Sequence, residues 1–322
     1  MKHLERALDN QNQIWKYIVV LIFAFLVAGI IGSLPLFLVA IYKSISSGIS
    51  MDTADIYTLL SGVSSNLLLL LMMLPLVLGL FAMIWCLPAF HKRTIREVIN
   101  GTNHIRWGHF FMGAAVWAAI LSIASVIDYA LDPDNFVLQF QLSSFIPLLI
   151  ISLAIIPLQT TFEEVVFRGY MAQGIAAQTG SRWLAMIFPS ILFGLLHSFN
   201  PEIDAYGFWV MMPQYIFMGL MLGLVSILDD GIETAMGVHA ANNVFIALFI
   251  TNSSSAFQTA AVFEQLVVDP SGGLPAMVIS FGILVFILKQ KYNWDFSVLN
   301  RKVQRQIPAQ EADNNENQFN GL

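Results

Sequence analysis

The segment Glu163–Arg168 has the sequence EEVVFR and follows the apolar run 143–162, so two carboxylates and a guanidinium group adjoin a membrane-length stretch. Two further polar patterns interrupt apolar sequence: FGLLH at Phe193–His197 and HAANN at His239–Asn243. A charged side chain at the centre of a membrane helix costs about 2.5–3.5 kcal/mol even on lenient scales, so ionisable residues there mark functional sites by default. The three patterns therefore predict a polar site between membrane helices.

The composition is that of an integral membrane protein. Of the 322 residues, 57% are hydrophobic and 11% are charged, whereas soluble domains have about 25% charged residues. The mean hydropathy is +0.70. The single cysteine, Cys86, excludes an intrachain disulfide and a cysteine-based zinc site. No basic stripe is present, which argues against nucleic acid as a partner.

Eight stretches are apolar and long enough to cross a bilayer, which takes about 20 residues. They lie near residues 16–42, 57–88, 109–131, 143–163, 183–199, 208–228, 233–251 and 274–290. The sequence therefore predicts an all-α integral membrane protein with about eight transmembrane helices. We expect a polytopic membrane domain over residues 1–291, and a disordered cytoplasmic tail over the polar, Gln- and Asn-rich residues 292–322.

Lysine and arginine residues are concentrated in every second segment between the predicted spans. The basic segments contain Lys2, Arg6 and Lys16, then Lys92, Arg93, Arg96 and Arg106, then Arg182, and finally Lys289, Lys291, Arg301, Lys302 and Arg305. The intervening loops contain Lys43 and otherwise none in 132–142, 200–207 or 252–273. This bias places both termini in the cytoplasm. It fits a multi-pass protein of the cell membrane, and the short loops suit the cytoplasmic membrane of a bacterium or archaeon.

Helical spacing divides the polar residues into two groups. Glu164 and Arg168 are four residues apart, acid first, which favours an ion pair. Glu163 lies about 100° around the helix from Glu164 and is the less neutralised carboxylate, free to exchange a proton. His239 and Asn243 share a helix face, as two donors aimed at one oxygen would, although the neighbouring Asn242 is an alternative source of the amide.

A spacing argument also brings two patterns together. Gly180 lies midway in the sequence between Glu163 and His197. In an antiparallel hairpin turning at Gly180, both would lie about 25 Å from the turn and at the same level. Gly219 and Gly223 form a GxxxG pattern, which predicts close helix packing.

At these residues the chain resembles the CPBP family, the Abi or Rce1-like membrane proteases that include type II CAAX prenyl endopeptidases and bacteriocin-processing proteins. The matches are EE-x3-R at Glu163–Arg168, F-x3-H at Phe193–His197 and H-x3-N at His239–Asn243, in the family's order. They extend from Glu163 to Asn243, within a core of about 143–251. Each pattern alone is weak, but the three in order are specific.

The resemblance implies an intramembrane endopeptidase of the CAAX prenyl endopeptidase type. By it, Glu163 and His197 would hold and activate water, and His239 and Asn243 would form the oxyanion hole. Glu164, Arg168 and Phe193 would support the site. No cofactor is required by this glutamate-type mechanism, which we favour because no HExxH helix is present. A zinc ion held by Glu163, His197 and His239 is the alternative.

Other functions remain open at this stage. The runner-up is a non-catalytic membrane immunity or assembly protein that binds a peptide or partner. A secondary transporter that uses Glu163 and the histidines as a proton relay is disfavoured, because no repeat between halves is visible. For the protease we expect the lipid bilayer as environment and a membrane protein or peptide as substrate, cut near the cytoplasmic leaflet. The sequence leaves the oligomeric state and any prenylation of the substrate unassigned.

Overall fold

The computed structural model describes residues 2–9, 11–48 and 60–304, and most of this chain is helical. We number the helices α1 Ile14–Leu26, α2 Leu34–Ser47, α3 Ser65–His91, α4 Ile95–Asn100, α5 Trp107–Leu131, α6 Leu142–Glu164, α7 Ala172–Thr179, α8 Arg182–Leu196, α9 Pro201–Tyr206, α10 Phe208–Leu228, α11 Glu233–Phe249 and α12 Gly273–Tyr292. Short 3-10 helices cover Glu5–Asp9, Pro133–Asn135 and Phe296–Asn300.

Two π-helical segments join α-helices end to end. Val27–Gly32 leads from α1 towards α2, and Val165–Met171 connects α6 to α7. The second junction produces one continuous helical segment of 38 residues, Leu142–Thr179. It ends at Gly180, whose φ of +67° is readily adopted by glycine, and Ser181 then caps α8 by accepting a hydrogen bond from the Leu184 N–H. The hairpin predicted around Gly180 is therefore present.

In the described part of the chain, six helical segments are long and apolar enough to cross a membrane. They are Ile14–Ser47, Ser65–His91, Trp107–Leu131, Leu142–Thr179, Phe208–Leu228 and Gly273–Tyr292. The predicted spans 183–199 and 233–251 correspond to α8 and α11, which have 15 and 17 residues. A multi-pass membrane protein is confirmed, whereas the count of eight spans and the sides of the termini stay predictions. Residues 57–59 of the second predicted span lie outside the described residues.

A small sheet lies at one end of the helices. Its strands are β1 Phe136–Leu138, β2 Ile250–Thr251 and β3 Phe263–Gln265. The central strand β3 pairs antiparallel with β1 and parallel with β2. These loops belong to the set that is free of lysine and arginine, so the sheet marks the end of the molecule away from the basic segments.

The basic segments meet at the opposite end. Glu97 pairs with Arg6, and the Asp230 carboxylate accepts the N–H groups of Lys2 and His3 at 2.9 and 3.0 Å. Burial alone would raise the pKa of Glu97, but hydrogen bonds from Arg6 and Thr94 outweigh it and lower that pKa. The N-terminal 3-10 segment is thereby fixed across the ends of the membrane helices.

Part of the predicted tail is packed against this end. Trp294, Val298, Leu299 and Val303 are buried, and the Val303 N–H donates to the Gly180 carbonyl at 2.9 Å. The prediction of a disordered tail is therefore wrong for residues 292–304, because their few apolar side chains pack against the hydrophobic core. Residues 305–322 lie outside the described residues.

Close helix packing occurs at the predicted GxxxG pattern. A Cβ atom on Gly219 would lie 2.8 Å from the Ser190 carbonyl oxygen, and one on Gly223 would lie 3.0 Å from the Met186 side chain. Both contacts join α10 to α8. The glycines let the two backbones approach closely, as the pattern predicts.

We expect Gly219→Ala to lower the free energy of unfolding by about 1–3 kcal/mol, because the new methyl group would meet backbone that must move. Gly282→Ala on α12 is the matched control, since no atom outside its own stretch of helix lies within 4 Å of its Cβ position. Unfolding of the two variants in the same detergent gives the comparison. Equal stability of both variants would contradict the proposed close approach.

Candidate active site

Three helical segments supply the residues that the sequence singled out. The 38-residue segment provides Glu163, Glu164 and Arg168; α8 and its C-terminal end provide Phe193 and His197; and α11 provides His239, Asn242 and Asn243. A cavity of about 550 Å³ lies between these segments. The members of this set that line it are Glu163, Phe193, His197, His239, Asn242 and Asn243.

The π segment begins directly after the two glutamates. Val165–Met171 is π-helical, and its residues Val165–Tyr170 are all buried. Such segments are rare and frequently occur at functional sites. Glu164 therefore closes the regular helix α6 while Arg168 belongs to the wider turn. Sequence spacing predicted the contact between them but gave no signal of the change in helix type.

Glu164 is the centre of the buried charge cluster. Its Oε1 atom accepts from Arg168 Nη1 at 2.8 Å and from His239 Nδ1 at 2.7 Å. The side chains of Glu164 and Arg168 are 0% and 2% exposed. Arg168 also donates to the Gly219 carbonyl at 3.2 Å. The predicted ion pair is thus present, and it includes a histidine that the sequence argument had not placed there.

Phe193 packs against three of these polar groups. The Arg168 guanidinium carbon lies 4.3 Å from its ring centroid, a cation–π distance. The imidazole centroids of His197 and His239 lie 4.6 and 5.9 Å from the same ring. The aromatic ring therefore fills the space between the charged cluster and both histidines.

Glu163 faces the cavity and is not paired with Arg168. Its Oε2 atom lies 3.4 Å from His239 Nε2, and its side chain is 14% exposed. Because His239 Nδ1 contacts Glu164, the Nε2 atom is the one that faces Glu163. In the described part of the chain no hydrogen bond or ion pair joins Glu163 to His197, although both line the same cavity.

His197 is oriented by two neighbours. Its Nδ1 atom lies 2.7 Å from the Phe193 carbonyl, a pure acceptor, so Nδ1 carries the proton and Nε2 is left for the cavity. The ring of Tyr215 stacks on the imidazole at 4.7 Å, and Asn200 Nδ2 donates to the Tyr215 hydroxyl at 3.1 Å. Sequence reasoning missed Tyr215, because nothing in its local pattern connects it with His197.

The amide of Asn243 lies among other polar groups on the cavity wall. Asn243 Nδ2 donates to Gln159 Oε1 at 3.4 Å, and Asn242 Nδ2 donates to Asn243 Oδ1 at 3.1 Å. Gln159 was also missed, although it lies one helical turn before Glu163 and so shares its face. Asn242 and Asn243 both line the cavity, so position alone does not choose between the two amides.

The side chains proposed as metal ligands are not grouped around one point. Within the described residues no three His, Cys, Asp or Glu side chains are grouped so as to hold one ion. His239 Nδ1 contacts Glu164 and His197 Nδ1 contacts a backbone carbonyl, which are contacts that metal-bound imidazoles also make through their other nitrogen. Zinc held by Glu163, His197 and His239 would require these side chains to move together, and it stays an alternative.

The cavity lies towards the end of the molecule with the small sheet. Its lining includes Asn200 and Glu202 after α8, Ser255–Phe257 after β2, and residues from the N-terminal halves of α10 and α12. Arg182 and Lys289 lie at the other ends of α8 and α12. No residue of the basic loops lines this cavity.

Comparison with known proteins shows the family to which the chain belongs. A family model described as type II CAAX prenyl endopeptidase Rce1-like matches residues 142–245. The uncharacterized protein YyaK of Bacillus subtilis (strain 168) is 31% identical over 261 residues, which are 80% of this chain and 85% of YyaK. The chain belongs to the Rce1-like, CPBP family. No solved structure matches it. The residues matched to the Rce1-like family include all three polar patterns, from Glu163 to Asn243.

Removal of one partner from the charge cluster should destabilise the fold. We expect Glu164→Ala and Arg168→Ala each to lower the free energy of unfolding by about 3–5 kcal/mol, because each leaves a buried charge unpaired. Glu163→Ala is the control, since its carboxylate faces the cavity. Denaturant unfolding in one detergent measures all three, and similar losses in the three variants would contradict this division.

Proposed function

We propose that this protein is a membrane endopeptidase that uses Glu163 to activate water. One observation supports this above the others: Glu163, His197, His239 and Asn243, from three helical segments, line one cavity of about 550 Å³. This volume lies within the range of about 300–1,000 Å³ that is usual for ligand-binding pockets. Family membership supports a protease, and the residue roles below are our proposal.

The proposed reaction uses the free atoms of the cavity wall. A water molecule bound by Glu163 and by Nε2 of His197 attacks the substrate carbonyl carbon and transfers its proton to Glu163. The carbonyl oxygen becomes an oxyanion, stabilised by Asn243 Nδ2 and by His239 Nε2, which acts as a donor in the imidazolium form because Nδ1 already donates to Glu164. Glu163 then gives its proton to the departing amine as the C–N bond breaks. Oxyanion donors of this kind typically contribute about 3–4 kcal/mol each.

We propose that the reaction runs without a metal ion. The chain has no HExxH helix, and within the described residues Glu163, His197 and His239 do not form a group of three side chains that could hold one ion. Zinc bound to Glu163, His197 and His239 is the competing arrangement, and the experiment below separates the two.

The position of the cavity suggests which substrates reach it. It lies in the half of the molecule away from the basic segments, and the positive-inside rule assigns those segments to the cytoplasm. We therefore propose that the cavity opens towards the outer leaflet and receives a polypeptide from that side. This proposal replaces the expectation of cleavage near the cytoplasmic leaflet, because the cavity lies at the sheet end of α8.

We expect Glu163→Gln and His197→Ala to lower kcat by at least about 100-fold without a change in unfolding temperature, because each removes a group that activates water. Purified variants reconstituted in lipid are assayed with a peptide library. Glu264→Gln and His104→Ala are matched controls outside the cavity. Full activity of Glu163→Gln would rule out the proposed base, and absence of cleavage by the wild type would favour a peptide-binding protein.

The same preparation tests the role of metal. Activity of the wild type should survive treatment with a chelator, and elemental analysis should find less than one zinc per chain. Loss of activity with chelator and recovery with added zinc would overturn the metal-free mechanism and support the three-ligand site.

The proposed orientation predicts opposite labelling of two engineered cysteines. Ser253→Cys, beside the cavity loop, should react with a membrane-impermeant maleimide in intact cells. Asn103→Cys, in the basic loop, should react only after permeabilisation. Both positions are exposed, and the native Cys86 is buried at 1% exposure. The reverse pattern would place the cavity on the cytoplasmic side, whatever the result of the cleavage assay.

A further inference from the structure

A continuous chain of hydrogen bonds crosses the cavity wall. Trp117 Nε1 on α5 donates to Asn242 Oδ1 at 3.1 Å, and Asn242 Nδ2 donates to Asn243 Oδ1 at 3.1 Å. Asn243 Nδ2 then donates to Gln159 Oε1 on α6 at 3.4 Å. All four residues line the cavity. The chain therefore links α5, α11 and α6 at the amide that the proposed mechanism uses.

The first donor sets the direction of the whole chain. An indole N–H donates and cannot accept, so Asn242 must present its oxygen to Trp117. Its amide nitrogen then faces Asn243, which must in turn present its own oxygen. This leaves the Asn243 NH₂ group on the side of Gln159 and the cavity. An isolated amide could exchange the places of its oxygen and nitrogen, whereas an amide in this chain has one favourable orientation.

The end members of the chain are buried. Trp117 is 2% exposed, and its ring lies 4.4 Å from the ring of Phe281. Gln159 is 3% exposed and lies one turn before Glu163 on the same helix. Gln159 Oε1 accepts one N–H of Asn243, so the second N–H of that NH₂ group remains for another acceptor.

We propose that Trp117, Asn242 and Gln159 are positioning residues that hold the Asn243 NH₂ group towards the substrate carbonyl. The proposal rests on the proposed function, because it gives Asn243 the role of oxyanion donor. It assigns the two neighbouring asparagines different tasks: Asn243 contacts the oxyanion, and Asn242 passes on the orientation set by Trp117. A residue that only packs would have no such directional effect.

The first test removes the donor and keeps the ring. Trp117→Phe should lower kcat about 10-fold with KM unchanged, because loss of one neutral hydrogen bond lets the amide pair reorient. Trp294→Phe is the matched control: Trp294 is 5% exposed and donates one indole hydrogen bond, to Asp229 Oδ1 at 3.3 Å, far from the cavity. Equal kcat in both variants, or a change in KM alone, would overturn the proposal.

The second test reverses the direction of the chain. Asn242→Asp keeps the acceptor for Trp117 but places an oxygen against Asn243 Oδ1, so the Asn243 amide must turn. We expect kcat to fall about 100-fold with unchanged unfolding temperature. The substitution also adds a carboxylate charge beside the proposed oxyanion, so it is compared with Asn242→Leu, which removes both hydrogen bonds without adding charge and should lower kcat about 10-fold; wild-type kcat in Asn242→Leu would overturn the positioning role even if Trp117→Phe folds poorly. Wild-type kcat in Asn242→Asp would refute the positioning role.

Asn243→Ala measures the full loss of the proposed oxyanion donor. It therefore distinguishes the oxyanion role of Asn243 from the positioning role of Trp117 and Asn242. It should lower kcat by about 10²–10³ with little change in KM. If it does and the Trp117 and Asn242 variants do not respond, the positioning chain is wrong and the oxyanion role stands. Full activity of Asn243→Ala would instead remove the oxyanion role, and the positioning chain with it.

Discussion

The buried contact between Glu164 and Arg168 is the constraint on which the rest of the site depends. Neither charge can face lipid, and removal of either partner would leave the other unpaired at a cost of about 3–5 kcal/mol. Arg168 is held further by the Gly219 carbonyl and the face of Phe193. Each of these partners comes from a different helix. One ion pair therefore fixes α10 and α8 against the segment Leu142–Thr179, and the absence of a side chain at Gly219 lets its carbonyl come within reach.

The same constraint gives two adjacent glutamates different roles. The charge of Glu164 stabilises the fold, whereas the charge of Glu163 is proposed to take part in the reaction. Glu164 is fully enclosed and satisfies Arg168 and His239, whereas Glu163 has no cationic partner in the described chain other than the imidazole at 3.4 Å. His239 connects the two carboxylates, one at each ring nitrogen. Its orientation is thus set by Glu164, and Nε2, the nitrogen that faces the cavity, is the one that the proposed reaction uses. The π segment that follows is stabilised from the basic end of the molecule, where His3 Nε2 contacts the Arg168 carbonyl at 3.1 Å.

Local spacing in the sequence predicted the local contacts. The pair four residues apart, the hairpin at Gly180 and the close approach at Gly219 follow from helix geometry, which depends on few residues at a time. The contact of His239 with both glutamates could not be predicted, because it requires the relative rotation of two helices. Trp117 and Tyr215 were missed for the same reason: an aromatic residue in an apolar helix has no local signal of function.

The packing of residues 292–304 was missed because a few apolar side chains in polar sequence decide it. Gln159 could have been found, since it lies one turn from Glu163 in a stretch otherwise apolar.

The location of the cavity follows from where the polar groups of the chain are paired with one another and where they are not. At the basic end, the N-terminal segment, the loop before α5 and residues 292–304 bind one another through ion pairs and buried side chains, so that end is sealed by protein. At the sheet end, α8 stops at Leu196, short of the length needed to cross a bilayer, and α9 begins at Pro201. A short helix among long ones leaves space at the level where it ends. His197 lies at that end, so the open space and the free imidazole nitrogen are consequences of the same early termination. The arrangement thus gives a cavity between the membrane helices, with several polar groups on its wall, without opening the packed end of the molecule.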